Sequence, residues 1–184
     1  MDARLRYTAP AIGFHWLIAI LVVSGWCLGV YMDGLKLSPE KLRIVSYHKW
    51  IGITVLGLAC LRAAWRVTHA PPPPNPAHPA WQRRAAAFVH HALYVLMFAV
   101  PLAGWLFSSA AGYPVKYLGV IPLPDLVAKD KALAGVLQQV HVILAFVLSG
   151  VVAIHVGAAL QHFWFHRDDT LSRMLPFVRP RSPR

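Results

Sequence analysis

Residues 138–169 read QQVHVILAFVLSGVVAIHVGAALQHFWFHRDD, and this stretch carries two histidines, His141 and His155, in otherwise apolar surroundings. The two histidines are 14 residues apart. On a helix, that separation spans about 21 Å and nearly four full turns, so both imidazoles point from nearly the same face at two depths. Ionisable residues are rare in apolar helices and usually functional. The stretch therefore predicts a long helix that carries two sites.

The composition is that of a membrane protein. The chain has 184 residues, of which 57% are hydrophobic and 14% are charged, whereas an average soluble domain has about 25% charged residues. Mean hydropathy is +0.50. The length indicates a single membrane domain over residues 1–184. A formal charge of +11 would suit nucleic-acid binding, but the basic residues lie between apolar spans, which excludes that function.

Four apolar segments are long enough to cross a bilayer as helices, which takes about 20 residues each. They are approximately residues 11–32, 44–67, 85–110 and 133–165. The first is longer than the apolar region of a signal peptide and precedes no small-residue cleavage site, so it is predicted to be a mature helix. The sequence thus predicts an all-α, four-helix transmembrane bundle.

Two proline-rich stretches connect these spans. APPPPNPAHPA, residues 70–80, is predicted to form an exposed, semi-rigid connector. YPVKYLGVIPLPDL, residues 113–126, is predicted to lie along the membrane interface. His69, His78 and His166 flank the spans, and they are interpreted as solvated loop residues.

Lysine and arginine near the ends of the spans predict the orientation. The side that carries both termini has 11 such residues and the opposite side has seven. The positive-inside rule then places both termini in the cytoplasm.

Five histidines within the spans fall into two layers according to their depth. An inner layer contains His15, His90 and His155, and an outer layer contains His48 and His141. Two imidazoles from facing helices suit a haem iron, because the macrocycle needs an apolar slot. Glycines at four positions would make room for it, and equally serve close helix packing: Gly13, Gly52, Gly57 and Gly150.

Alternatives to haem are weaker. Neither layer adds a thiolate or carboxylate that zinc sites commonly use, and a proton relay would lack an acidic partner within the spans. The motif C-x-x-C-H does not occur in the sequence, so covalently attached haem is not expected. Cys27 and Cys60 are predicted to lie at opposite depths, which excludes a disulfide.

Four segments resemble the bacterial cytochrome b561 family and together cover nearly the whole chain. They read RYTAPAIGFHWLIAILV (6–22), YHKWIGITVLGLACLRAAWR (47–66), VHHALYVLMFAVPLAGW (89–105) and HVGAALQHFWFHRDDTLSRMLP (155–176). The resemblance implies a multi-pass protein of the bacterial inner membrane with two b-type haems. When the family's ligand positions are carried over residue by residue, the resemblance implies that the haem ligands are His15, His48, His141 and His155. The two layers favour the same four residues. His90 matches a further family histidine, either an inner-haem ligand or a neighbour.

The family includes superoxide oxidases, so the resemblance implies electron transfer from periplasmic superoxide to ubiquinone. The outer surface has seven basic and four acidic residues, a net +3, which would attract a small anionic donor. His162, Trp164 and Arg167 are candidates for the quinone site, although tryptophan and arginine also anchor ordinary helix ends.

The alternative function is a haem-bearing membrane anchor that transfers electrons for a separate dehydrogenase or hydrogenase. The chain itself carries no flavin, nicotinamide or iron–sulfur motif. Direct reduction of the purified protein by superoxide would favour the enzyme, a superoxide:ubiquinone oxidoreductase. Co-purification with a larger redox protein, without such reduction, would favour the anchor.

Overall fold

The computed structural model describes residues 6–74 and 78–175 and consists of four long helices. They are α1 (Ala9–Asp33), α2 (Pro39–Thr68), α3 (Ala80–Ala111) and α4 (Lys131–Gln161). A π-helical turn, His162–His166, continues α4. All four helices are long and apolar enough to cross a membrane. The prediction of an all-α transmembrane bundle is confirmed. Several arginines used to predict the orientation lie outside the described residues: Arg4, Arg179, Arg181 and Arg184.

Local sequence explains where several helices begin and end. The Ser38 hydroxyl accepts a hydrogen bond from the backbone N–H of Lys41 at the start of α2. Asp130 accepts from two backbone N–H groups at the start of α4. Both are N-caps that satisfy otherwise unpaired donors. At the end of α3, Gly112 adopts φ +74°, a left-handed conformation that glycine adopts without steric cost.

The helices pack in sequence, α1 against α2, α2 against α3 and α3 against α4. Ile18, Ala59 and Met97 form the centre of the packed interior. Large apolar side chains instead cover the outside of the bundle, among them Phe88 and Ile154, which are 75% and 61% exposed. An apolar exterior around a small interior suits a lipid environment. Each helix satisfies its own backbone N–H and C=O groups, so apolar side chains can face the lipid.

The connection between α3 and α4 forms a short hairpin that packs against the outer end of α2. Strand β1 (Lys116–Tyr117) pairs antiparallel with β2 (Ile121–Pro122). Trp50 donates its indole N–H to the Lys116 carbonyl at 2.7 Å, and the hydroxyls of Thr54 and Tyr117 are 3.0 Å apart. The prolines predicted a non-helical segment here, but the sequence did not predict the strands.

Candidate functional site

Two histidines from different helices meet in the outer layer. The rings of His48 on α2 and His141 on α4 have centroids 6.0 Å apart and are perpendicular to each other. Nδ1 of His48 lies 2.9 Å from the Gly25 carbonyl oxygen on α1, and Nδ1 of His141 lies 2.9 Å from the Val100 carbonyl oxygen on α3. A carbonyl oxygen only accepts, so Nδ1 of each ring donates. In a neutral ring, Nε2 then carries no proton, and its lone pair can bind a metal ion.

Glycines lie directly against both outer rings. A Cβ atom added at Gly104 would lie 3.0 Å from Cε1 and Nδ1 of His141. One added at Gly29 would lie 3.4 Å from Cε1 of His48. Larger residues at these positions would press on the imidazoles. The sequence pointed to other glycines, because helical spacing does not show which glycine of one helix faces a histidine of another.

The inner layer brings three histidines together instead of two. The ring centroids of His15 and His155 are 6.1 Å apart, and those of His90 and His155 are 5.4 Å apart. His155 on α4 is thus the common neighbour of one histidine from α1 and one from α3. For the described residues, no hydrogen bond from these three rings to a backbone carbonyl is found, in contrast with the outer pair.

Cationic side chains gather beside the inner layer. Arg62 donates from Nε to the Tyr94 hydroxyl at 3.0 Å, and the guanidinium of Arg66 lies 5.8 Å from the centroid of the same ring. With Arg6, these residues line a cleft of about 320 Å³ at the inner end of the bundle. The cleft suits an anionic group. In the sequence, these arginines indicated only the orientation of the helices.

The three candidate quinone residues lie at the end of α4. The side chains of Trp164 and Phe165 are 58% and 80% exposed, and Arg167 follows the π-helical turn with φ +54°. His162 turns instead towards Asp168, with Nδ1 2.5 Å from Oδ2. The turn therefore presents an aromatic surface at the membrane boundary, next to a histidine that is held by a carboxylate.

The segment that follows α4 folds back onto the bundle. Trp16 on α1 donates its indole N–H to the Met174 carbonyl at 2.8 Å. Arg173 forms an ion pair with Asp169 and donates to the Pro73 carbonyl in the proline connector at 2.8 Å. These contacts fasten the C-terminal segment to α1 and to the connector.

His78 differs from its predicted environment. The sequence suggested a solvated loop histidine, but its side chain is only 20% exposed and Nε2 lies 2.9 Å from Oδ2 of Asp168. The prediction failed because the partner is 90 residues away in sequence. Only the folded-back C-terminal segment brings that carboxylate to the connector.

The structure thus defines a class of protein, a four-helix membrane bundle with histidine clusters at two depths. The sequence model of the family described as prokaryotic cytochrome b561 matches residues 6–177, and the chain belongs to this family. It is a membrane haem electron carrier with b-type haem, located as a multi-pass protein in the bacterial inner membrane. The resemblance inferred from the sequence is confirmed.

Three curated relatives are similar over nearly their whole length. The chain is 36% identical to cytochrome b561 homolog 2 of Escherichia coli (strain K12), over 92% of this chain and 91% of that protein. It is 30% identical to cytochrome b561 homolog 1 of the same strain, over 93% and 97%. It is 28% identical to a probable superoxide oxidase CybB of Yersinia pestis, over 95% and 98%.

Proposed function

We propose that the chain binds two haems b, one in each layer. His48 and His141 would ligate the outer haem, and His15 and His155 the inner one. The observation that carries the proposal is the outer pair, where each Nδ1–H donates a hydrogen bond to a backbone carbonyl: His48 to Gly25 on α1 and His141 to Val100 on α3. A metal-bound histidine usually donates its other ring N–H to such an acceptor, which fixes the tautomer and the orientation of the ring.

The residues around both pairs fit a macrocycle. Cβ atoms added at Gly13, Gly57 and Gly150 would meet no atom within 4 Å, so the helices do not press together at these points. At the inner layer, Arg62, Arg66 and the Tyr94 hydroxyl offer donors to haem propionates, because guanidinium groups bind carboxylates strongly. His90 is an inner-haem neighbour, or an alternative ligand to His15.

We further propose that the carrier oxidises periplasmic superoxide and reduces ubiquinone. In this reaction two superoxide anions each lose one electron and become dioxygen, and one ubiquinone gains two electrons and two protons. Haem iron supplies the one-electron chemistry. The support is a similarity of 28% identity to a probable superoxide oxidase, together with the predicted cationic outer surface.

The chain's own residues favour this direction. Both termini would lie in the cytoplasm, which places the outer pair next to the periplasm. Lys49 follows His48 directly on α2, and its ammonium donates to the Tyr113 carbonyl at 3.2 Å, which holds one positive charge at the end of α2 that carries His48. At the other end, His162, Trp164 and Arg167 would hold the quinone, by hydrogen bonding and by stacking on its ring.

The deciding experiment combines purified protein, a superoxide source and ubiquinone. We expect superoxide to reduce the haem directly and ubiquinone to re-oxidise it, and replacement of His162 or Arg167 to slow the second step alone. Wild-type re-oxidation rates in both variants would refute this quinone site. Absence of reduction by superoxide, with a larger redox protein co-purifying, would instead support the second candidate, a haem-bearing anchor subunit.

A further inference from the structure

A second cluster of metal-binding side chains lies outside the haem layers, where the proline connector meets the end of α4. His78 comes from the connector, His162 from the π-helical turn and Asp168 from the segment that follows. One nitrogen from each ring and one carboxylate oxygen lie within 4.8 Å of one another. We propose that these three side chains bind a divalent cation of the Zn²⁺ type.

The donor set has the right chemistry for such an ion. Two imidazole nitrogens and one carboxylate oxygen are ordinary ligands for Zn²⁺, and water completes the tetrahedron at an open site. Both histidines already converge on one oxygen of Asp168, at 2.9 Å from His78 and 2.5 Å from His162. Ligand atoms around a tetrahedral zinc lie about 3.3 Å apart, so these two nitrogen–oxygen distances need to lengthen by less than about 1 Å.

The carboxylate is held in place by the chain itself. Its other oxygen, Oδ1, accepts a hydrogen bond from the backbone N–H of Thr170 at 2.9 Å. Burial alone would raise the pKa of the Asp168 carboxyl, but the hydrogen bonds from Thr170 and His162 outweigh that effect and lower the pKa to about 2. Asp168 is therefore ionised at neutral pH, as a metal ligand must be.

The cluster is partly shielded and yet reachable from water. The side chains of His78, His162 and Asp168 are 20%, 17% and 14% exposed. Two hydrogen-bond donors to the connector backbone position the loop that carries His78: Arg83 donates to the His78 carbonyl and Arg173 to that of Pro73. The ligands thus come from segments that are already fastened together, which lowers the entropy cost of gathering them.

A bound cation would link the connector to the segment after α4 at the inner end of the bundle. It would replace the two hydrogen bonds that now reach Asp168, with each neutral imidazole carrying its proton on the other ring nitrogen. The competing explanation is a purely hydrogen-bonded clasp in which both histidines donate to Asp168. The two explanations differ in whether Zn²⁺ binds and in which residues its affinity depends on.

The test is Zn²⁺ binding to the haem-loaded, full-length protein in detergent, without a polyhistidine tag and after treatment with a chelator. Calorimetry should show one saturable site per chain. His78→Ala should weaken binding at least about tenfold, since loss of even an outer-shell partner commonly costs that much. His69→Ala is the matched control, because that ring stacks on Trp65 away from the cluster, and its affinity should equal the wild type.

Asp168→Asn should weaken binding to a similar extent, and an unchanged haem spectrum would show that the variant is folded. X-ray absorption at the zinc edge should show two imidazoles per zinc. Wild-type affinity in His78→Ala, or no saturable binding by the wild-type protein, would overturn the proposal. The measurement needs neither superoxide nor quinone, and its variants change His78 and Asp168, which have no part in the proposed quinone site, so its failure can be distinguished from failure of the proposed electron-transfer activity.

Discussion

The outer and inner histidine layers differ in what surrounds them. The outer pair is fixed by geometry: each ring donates to a backbone carbonyl, and a glycine lies against each ring. The inner layer has a third histidine and is surrounded by charge, with Arg62 and Arg66 near Tyr94. The same fold therefore positions two pairs of histidines in different ways. In the outer layer, hydrogen bonds and close packing restrict the rings, whereas in the inner layer nearby positive charges set the electrostatic environment.

The difference in charge bears on the direction of electron flow. Reduction of a haem adds one negative charge, which nearby cations stabilise. Arginines beside the inner layer would therefore raise the reduction potential there relative to the outer layer. Electrons supplied at the periplasmic face would then move to the inner side, where the proposed quinone site lies.

The largest expected effect is loss of haem when one proposed ligand is removed from either layer. His141→Ala and His155→Ala should each lose one of two haems and leave the spectrum of the other recognisable, because the sites are about 21 Å apart along α4. The ratio of extractable haem to protein measures this. An unchanged ratio in both variants would rule out α4 as the shared ligand helix.

In the inner layer, either His15 or His90 could be the second haem ligand, whereas among the described residues the outer layer offers only one pair. His15→Ala should lose the inner haem, whereas His90→Ala should keep both haems with a shifted inner spectrum, because we propose His15 as the ligand on that side of the haem. The haem ratio of the two variants, compared side by side, is the measurement. If His90→Ala loses the haem and His15→Ala keeps it, the two residues exchange roles.

A smaller effect should come from the glycine that touches the outer ligand. In Gly104→Ala the new methyl group would lie 3.0 Å from the His141 ring, and crowding of this kind costs about 1–3 kcal/mol. We expect partial loss of the outer haem alone. Gly135→Ala is the control, because a Cβ there would meet nothing within 4 Å. Equal haem contents in the two variants would contradict the packing argument.

The effect of the arginine charges on the reduction potential of the inner haem can be tested by changing one of them. Arg62→Gln should lower the potential of the inner haem by an amount on the order of tens of millivolts, as expected when a unit charge is removed at an effective dielectric constant of about 20. Arg62→Lys should keep most of the potential. Spectroelectrochemical titration, with the inner haem identified as the one that His141→Ala retains, measures both. A higher potential in Arg62→Gln would show that charge does not set the difference.

The smallest expected effect concerns the outer surface. Lys49→Gln should slow reduction of the protein by superoxide and reduce the dependence of that rate on salt, because electrostatic steering is screened by ions. Stopped-flow measurements at several ionic strengths would show this. The Lys131→Gln variant, which changes a lysine at the start of α4, should have a smaller effect. Equal rates in the two variants would show that Lys49 has no special part in attracting superoxide.

Much of the fold could be predicted from the sequence, because its signals are local. About 20 apolar residues cross a bilayer whatever surrounds them, and a helical period relates His141 to His155 without knowledge of any other helix. The position of each histidine along its span predicted its depth. The hairpin between α3 and α4 was not predicted, since its strands are two residues each and it packs against side chains of the distant helix α2.

The sequence alone determined a four-helix membrane protein with histidines at two depths. The tertiary structure decided which groups meet: the carbonyls of Gly25 and Val100 against the outer rings, His155 against both His15 and His90 in the inner layer, and Asp168 between His78 and His162. Depth follows from counting along one helix. Lateral contact depends on how far each helix is rotated about its axis and on where a distant segment folds back, and packing of the whole bundle sets both.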